Sequence, residues 1–126
     1  MKLDIIAGAR PNFMKIAPLY HALKKEDWAE PIIVHTGQHY DANMSDIFFD
    51  EMEIPKPKYN LAINGLSHGA MTGQMLQKIE EVLSIEKPDL VVVYGDTNST
   101  LAGALAAKKM NIKLLLRTFG SPFKSI

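Results

Sequence analysis

The stretch Lys87-Pro88-Asp89-Leu90-Val91-Val92-Val93-Tyr94-Gly95-Asp96-Thr97-Asn98-Ser99-Thr100 decides the fold. Leu90 to Tyr94 is continuous, apolar and β-branched. A strand without a polar side needs helices over both faces, as in a parallel sheet. Lys87-Pro88 stops the preceding helix, because proline cannot continue one. Gly95 to Thr100 reads as a polar turn, and Leu101 to Met110 as the Ala-rich helix that follows.

Outward from this stretch the same unit recurs. Ser67 to Ile85 predicts a helix, with Met71, Met75, Ile79, Val82 and Leu83 on one face. Ile112 to Leu116 predicts a last strand, and Arg117 to Ile126 an irregular tail. Toward the start, Leu3 to Ala7 is a short buried strand and Gly8-Ala9-Arg10-Pro11 a tight turn. The helix after it has apolar positions at Met14, Ile16, Ala17, Leu19, Tyr20 and Leu23. Pro11 fits a first helical turn, whereas Pro18 is expected to kink or loosen the helix. Trp28 is expected to anchor the loop beyond it. Pro31 to Thr36 predicts a second strand, Gly37 to Asn43 a polar loop, and Met44 to Met52 a short helix. Glu53 to Asn64 reads as extended connection with a short strand near Tyr59 to Ile63. This order predicts an α/β fold: a doubly wound, Rossmann-like parallel sheet with right-handed crossovers.

Composition narrows the function. The 126 residues carry 14 basic and 14 acidic side chains, so no net charge draws the chain to nucleic acid or an anionic membrane. The absence of cysteine excludes disulfides, zinc–thiolate sites and cysteine nucleophiles. The apolar runs are too short to span a bilayer, and Met1 to Ile6 lacks the pattern of a signal peptide. The expectation is a cytoplasmic protein with no metal. His21 and His68 have no metal-ligand spacing and read as surface or hydrogen-bonded histidines. Met44, Met52, Met71, Met75 and Met110 read as core filler.

Ligands of such sheets bind beyond the carboxyl ends of the strands. Three turns there carry chemistry. In Gly8-Ala9-Arg10-Pro11-Asn12, the helix start favours an anion, and Arg10 and Lys15 could both reach a phosphate; the bland alternative is a plain turn with two solvated cations. Thr36-Gly37-Gln38-His39-Tyr40-Asp41 offers amide, imidazole, phenol and carboxylate, or is a polar loop capping the next helix. In Gly95 to Thr100, Asp96 suits a general acid/base at the mouth of an apolar strand. The hydroxyls of Thr97, Ser99 and Thr100 suit a sugar or phosphate, or cap the helix.

These turns resemble a known family. Gly8-Ala9-Arg10-Pro11-Asn12-Phe13-Met14-Lys15-Ile16-Ala17-Pro18 is similar to the opening G-[TA]-R-P-x-x-x-K-x-A-P of the non-hydrolysing UDP-N-acetylglucosamine 2-epimerases. Thr36-Gly37-Gln38-His39 looks like their T-[GA]-Q-H segment, and Lys87 to Thr100 like their K-P-D-x-V-x-V-x-G-D-T-x-[ST]-T segment. The resemblance implies the N-terminal half of a two-domain glycosyltransferase-B-type fold. Residues 1–115 would form the nucleotide-sugar domain and 116–126 an aberrant tail, with the C-terminal domain absent. It implies epimerisation at C2 of UDP-GlcNAc to UDP-ManNAc, by elimination and re-addition of UDP, without a cofactor. Arg10, Lys15 and Thr97 would bind substrate, Asp96 would be catalytic, and Gln38 and His39 would hold an activating UDP-sugar. Full-length relatives are commonly homodimers. One departure bears on activity: after Leu114-Leu115 the family continues His-Val-Glu-Ala-Gly before Leu-Arg, whereas here Leu116-Arg117-Thr118 follows at once, without the catalytic Glu. The isolated chain is therefore expected to be inactive. The rival expectations are a catalytically silent UDP-sugar-binding module and a fragment of a glycosyltransferase.

Overall fold

A computed structural model describes residues 1–8, 10–36, 46–55, 57–61, 63, 67–94, 98–117 and 124–125, with side chains at all of these except 10–12, 46–48, 117, 124 and 125. Alternation along two neighbouring strands builds the layers. In β4 (Leu90–Tyr94), Val92 and Tyr94 enter one apolar cluster and Val91 and Val93 the other. In β1 (Lys2–Ala7), Leu3, Ile5 and Ala7 face the first cluster and Ile6 the second. Successive side chains point to opposite faces, so a strand apolar on both demands a helical layer on each.

The first layer is α1 (Arg10–Lys24) with α2 (Asp46–Glu51). Phe13, Ile16, Ala17, Tyr20 and Leu23 of α1 and Phe49 of α2 enter its cluster. The second layer is α3 (His68–Glu86) with α4 (Asn98–Lys109). Met75, Ile79, Val82 and Leu83 of α3 pack there with Ala102, Ala106 and Ala107 of α4.

Between them lies one sheet, completed by β2 (Glu30–His35), β3 (Tyr59–Asn60), β5 (Lys113–Arg117) and β6 (Lys124–Ser125). The strand order is β3-β2-β1-β4-β5-β6. The first five strands are mutually parallel, with Ile6 beside both Val34 and Val93. β6 runs antiparallel against β5, pairing Leu116 with Lys124. The doubly wound α/β expectation therefore holds, with an antiparallel edge. The tail expected to be irregular returns to the sheet at Lys124–Ser125.

Local signals mark the ends of the elements. Ser67 caps α3 by accepting a hydrogen bond from the Ala70 N–H. Lys87 takes the left-handed conformation at φ 49°, its N–H donates to the Leu83 carbonyl, and Pro88 follows. After α4, left-handed Asn111 and the Ile112 N–H bond to the Ala107 carbonyl close the C-terminus. Helix α4 starts at Asn98 rather than Leu101, because the polar residues before the Ala-rich run supply its first turn. Helix α1 continues through Pro18, which is exposed. Trp28 is 54% exposed and lies outside both core clusters; its carbonyl accepts a hydrogen bond from the N-terminal amine.

Helix α4 lies close on the sheet because Gly103 has no side chain. A Cβ there would stand 2.9 Å from Val93 Cγ1 and 3.2 Å from Ile6 Cδ1. Both neighbours are β-branched, with little rotamer freedom to yield. Gly103→Ala should therefore lower stability by about 1–2 kcal/mol, although alanine is the better helix former. Urea unfolding measures this, and a neutral or stabilised variant would show that α4 lifts from β4 without loss.

Candidate functional site

Because β2, β1 and β4 are adjacent and parallel, the three turns singled out by sequence leave the same edge of the sheet. Neighbouring strands are about 4.8 Å apart, so the turns leave within roughly 10 Å of one another. The chain winds outward from β1 through β2 to β3, then returns across β1 to β4 and β5. The strand order thus reverses between β1 and β4, the place where doubly wound sheets open a ligand crevice. The end of β1 with the start of α1, and the end of β4 with the start of α4, border that position. β2, which in sequence precedes Gln38 and His39, lies on the other side of β1.

Arg10 opens α1, and its N-terminal turn contains no acidic residue. Lys15 is exposed on the same helix and has no ion-pair partner among the described residues. An unpaired cation one turn beyond a helix N-terminus suits an anionic ligand. The Arg10 side chain, Asp96, Thr97, Gln38 and His39 lie outside the described residues.

The residues bordering these turns are buried and tied to one another. Thr36 is fully buried, and its N–H donates to the Ala7 carbonyl at 3.0 Å. Its hydroxyl lies 2.8 Å from that of Ser99, which is 1% exposed. The Thr100 hydroxyl donates to the Tyr94 carbonyl at 2.8 Å, joining the two sides of the third turn. Ser99 and Thr100, read from sequence either as ligand hydroxyls or as helix caps, are buried and hydrogen-bonded within the protein. Asn98 Nδ2 lies 3.0 Å from His68 Nδ1, and His21 Nε2 lies 3.0 Å from the Met52 carbonyl. Both histidines are hydrogen-bonded, one of the two readings left open by sequence. Among the described residues no group of acids, histidines or cysteines could hold a metal. Among the described residues no helix is long and apolar enough to cross a membrane.

His35, next to Thr36 but on the opposite face, was not legible as special. It is 1% exposed and meets the Phe13 ring edge-on at 4.9 Å. Burial pushes its pKa down to about 4, so the ring is neutral at pH 7. Its only sequence signal is a polar pair, His35-Thr36, closing an apolar strand.

Asp4 is the other perturbed group. Its carboxylate is fully buried, and neither oxygen has a hydrogen-bond partner among the described residues. Burial, with the nearby Glu86 carboxylate, raises its pKa to about 7. Perturbed acids often mark active sites, but Asp4 lies toward the amino end of β1, opposite the turns. Beside it, Glu86 accepts from Lys58 at 2.5 Å and from Lys2 at 3.5 Å, and the Lys58 bond holds its pKa below the ordinary value. This group closes the bottom of the sheet and takes no part in the site.

Known proteins share this fold. The family model for UDP-N-acetylglucosamine 2-epimerase matches residues 21–115. A UDP-N-acetylglucosamine 2-epimerase homolog of Methanococcus maripaludis is 61% identical over 114 residues, covering 90% of this chain and 31% of the relative. A UDP-2,3-diacetamido-2,3-dideoxy-D-glucuronate 2-epimerase of Pseudomonas aeruginosa is 56% identical, over 90% of this chain and 32% of its own length. The crystal structure of Methanocaldococcus jannaschii UDP-GlcNAc 2-epimerase in complex with UDP-GlcNAc and UDP matches with a TM-score of 0.87. It is 52% identical over 92% of this chain and 32% of that one. The chain thus spans about a third of the length of the relatives it matches. With the family model covering most of its residues and a relative's crystal structure sharing its fold, the chain belongs to the UDP-N-acetylglucosamine 2-epimerase family.

Proposed function

We propose that the chain is the N-terminal, nucleotide-binding part of a 2-epimerase acting on UDP-GlcNAc. The observation that carries this reading is the reversal of strand order between β1 and β4, whose carboxyl ends lead in sequence into the Arg10/Lys15 and Asp96/Thr97 segments. The printed names of the relatives support it, since they share a UDP-linked acetamido sugar and 2-epimerisation. Arg10 and Lys15 hold the diphosphate, with the α1 N-terminus as a further anion ligand. Thr97 binds substrate, and Asp96 serves as an acid/base at the sugar. In the reaction the C2 proton leaves to a base and the C1–O bond to UDP breaks, forming a C1=C2 double bond. UDP then re-adds to C1 while a proton returns to C2 from the opposite face. Nothing is oxidised overall, so no redox cofactor takes part. Gln38 and His39 hold a second, activating UDP-sugar. The whole enzyme is a cytoplasmic homodimer serving polysaccharide biosynthesis, without nucleic-acid or membrane partners.

A second reading, a UDP-sugar-binding module without chemistry, is favoured by one observation. Leu115 runs directly into Leu116-Arg117 within β5, where the family pattern places His-Val-Glu-Ala-Gly. The chain alone is accordingly expected to bind UDP and to show no epimerisation. A ¹⁵N–¹H correlation titration with UDP tests both readings. Shifts are expected at the Arg10, Lys15 and 95–97 amides, and Arg10→Ala should weaken binding about tenfold or more, as for a lost charge-assisted bond. A spectrum that ignores UDP, or an Arg10→Ala variant that binds unchanged, would sink the nucleotide assignment. Detectable turnover by the pure chain would overturn the expected inactivity.

A further inference from the structure

The first residues of α3 and α4 touch at the carboxyl edge of the sheet. Both helices lie in one layer and lead into parallel strands, so both start at that edge. Asn98 opens α4, which follows β4 beside the reversal of strand order. His68 opens α3 and is exposed. Asn98 Nδ2 lies 3.0 Å from His68 Nδ1 and 3.6 Å from the Met71 sulfur. A thioether carries no proton and only accepts, so the sulfur requires the nitrogen end of the amide to face it. The same nitrogen then donates to His68 Nδ1. A neutral imidazole that accepts at Nδ1 carries its proton on Nε2. That N–H has no partner among the described residues. The first turns of α3 and α4 contain no acidic residue to take it.

The space beside this donor is open. A Cβ on Gly69 would meet no packed neighbour within 4 Å. Glycine weakens a helix relative to alanine, and packing inside the chain does not call for it here. It leaves the approach to His68 clear. A fixed, outward N–H suits an oxygen that only accepts. In a UDP-sugar those are the diphosphate oxygens, whereas ribose and sugar hydroxyls also donate.

We propose that His68 is a further ligand-binding residue of the nucleotide site, donating its Nε2–H to a diphosphate oxygen from the α3/α4 side, with Asn98 as the positioning residue that holds the ring. This rests on the UDP-sugar reading. Lys15, on α1, approaches from the opposite layer.

Long-range ¹⁵N–¹H spectra of the histidine rings in the 126-residue chain test this. The free chain should show His68 as the Nε2–H tautomer. UDP should shift its Nε2 resonance together with the Lys15 amide, and uridine, without phosphates, should leave Nε2 in place. His68→Phe should weaken UDP binding about tenfold, as for one lost bond to a charged acceptor. His68→Gln, whose amide nitrogen reaches where Nε2 stood, should lose no more than about threefold. Because His68 is exposed the variants should fold, and the parent's ring spectrum decides without them. An Nδ1–H tautomer would overturn the proposal, as would a uridine response equal to that with UDP. So would an Asn98→Ala loss as large as that of His68→Phe, since the ring would then matter only for its contact with Asn98. If UDP shifts the Lys15 amide and leaves Nε2 unmoved, this proposal alone falls. If UDP moves neither, the nucleotide reading falls and this proposal with it.

Discussion

Asp4→Asn should gain on the parent chain by about 4 kcal/mol between pH 4 and pH 8. The reason is a fully buried carboxyl with no hydrogen-bond partner among the described residues. Its pKa rises from 3.8 to about 7 by burial first and by Glu86 second, while Lys2 and Lys58 oppose the shift and Glu30 adds slightly to it. Well below pH 3.8 Asp4 is protonated whether the chain is folded or not. Between 3.8 and about 7 the unfolded chain gives up this proton and the folded chain keeps it. The unfolded state then binds fewer protons, so stability falls as pH rises through that window. Asparagine has no such proton to hold.

His35 hides this effect in the parent. Its pKa falls from 6.5 to about 4, so there the unfolded state binds the extra proton and stability is lost as pH falls through that window. Across pH 4 to 6.5 the two slopes have opposite sign and similar size. The parent should look nearly flat there, and the Asp4→Asn variant should lose stability on acidification. Urea midpoints of both proteins at several pH values test this, and a constant difference between them would refute it. Glu86→Gln, which removes the neighbouring negative charge, should move the Asp4 transition to lower pH.

Phe13→Ala is the second large effect, a loss of about 3–5 kcal/mol. The ring is fully buried, edge-on to His35 at 4.9 Å and to Phe49 at 5.3 Å. It pins the first turns of α1, just after Arg10, to the end of β2 and to α2. Small domains have about 5–15 kcal/mol in all, so the variant should be marginal. Phe13→Leu, which refills most of the space, should keep much of the stability. With the ring gone water reaches His35, and its pKa should climb toward the ordinary value, followed by its imidazole resonances. A loss below about 1 kcal/mol would mean that the cluster closes over the gap.

Much of the fold was legible because its signals are local. The run Leu90 to Tyr94 implied burial on both faces, and the structure divides it between two clusters. Ser67 and Lys87-Pro88 announced the ends of α3 through groups that act within one helical turn. The three chemically equipped turns were readable for the same reason, since glycines, cations and acids follow strands in sequence. Asp96, Thr97, Gln38 and His39 lie outside the described residues, so for them sequence remains the guide.

Other features had no local signature. Trp28 reads as an anchor by residue type, yet its ring is exposed. Ser99 and Thr100 read equally as ligand hydroxyls or as caps, and only the fold shows that they bond Thr36 and Tyr94 inside the protein. Asp4 reads as one acid in a strand, and only the folded structure shows that its carboxyl is fully buried.

The sequence by itself determined the alternation of strands and helices and which turns carry charge and hydroxyls, because hydrophobic period, caps and turn chemistry act between residues a few positions apart. Only the tertiary structure decided that β1 lies between β2 and β4, that the strand order reverses beside the Arg10 turn, and that Thr36 meets Ser99. Those outcomes depend on which strand pairs with which, a choice made by contacts between distant residues when the sheet closes its two apolar faces.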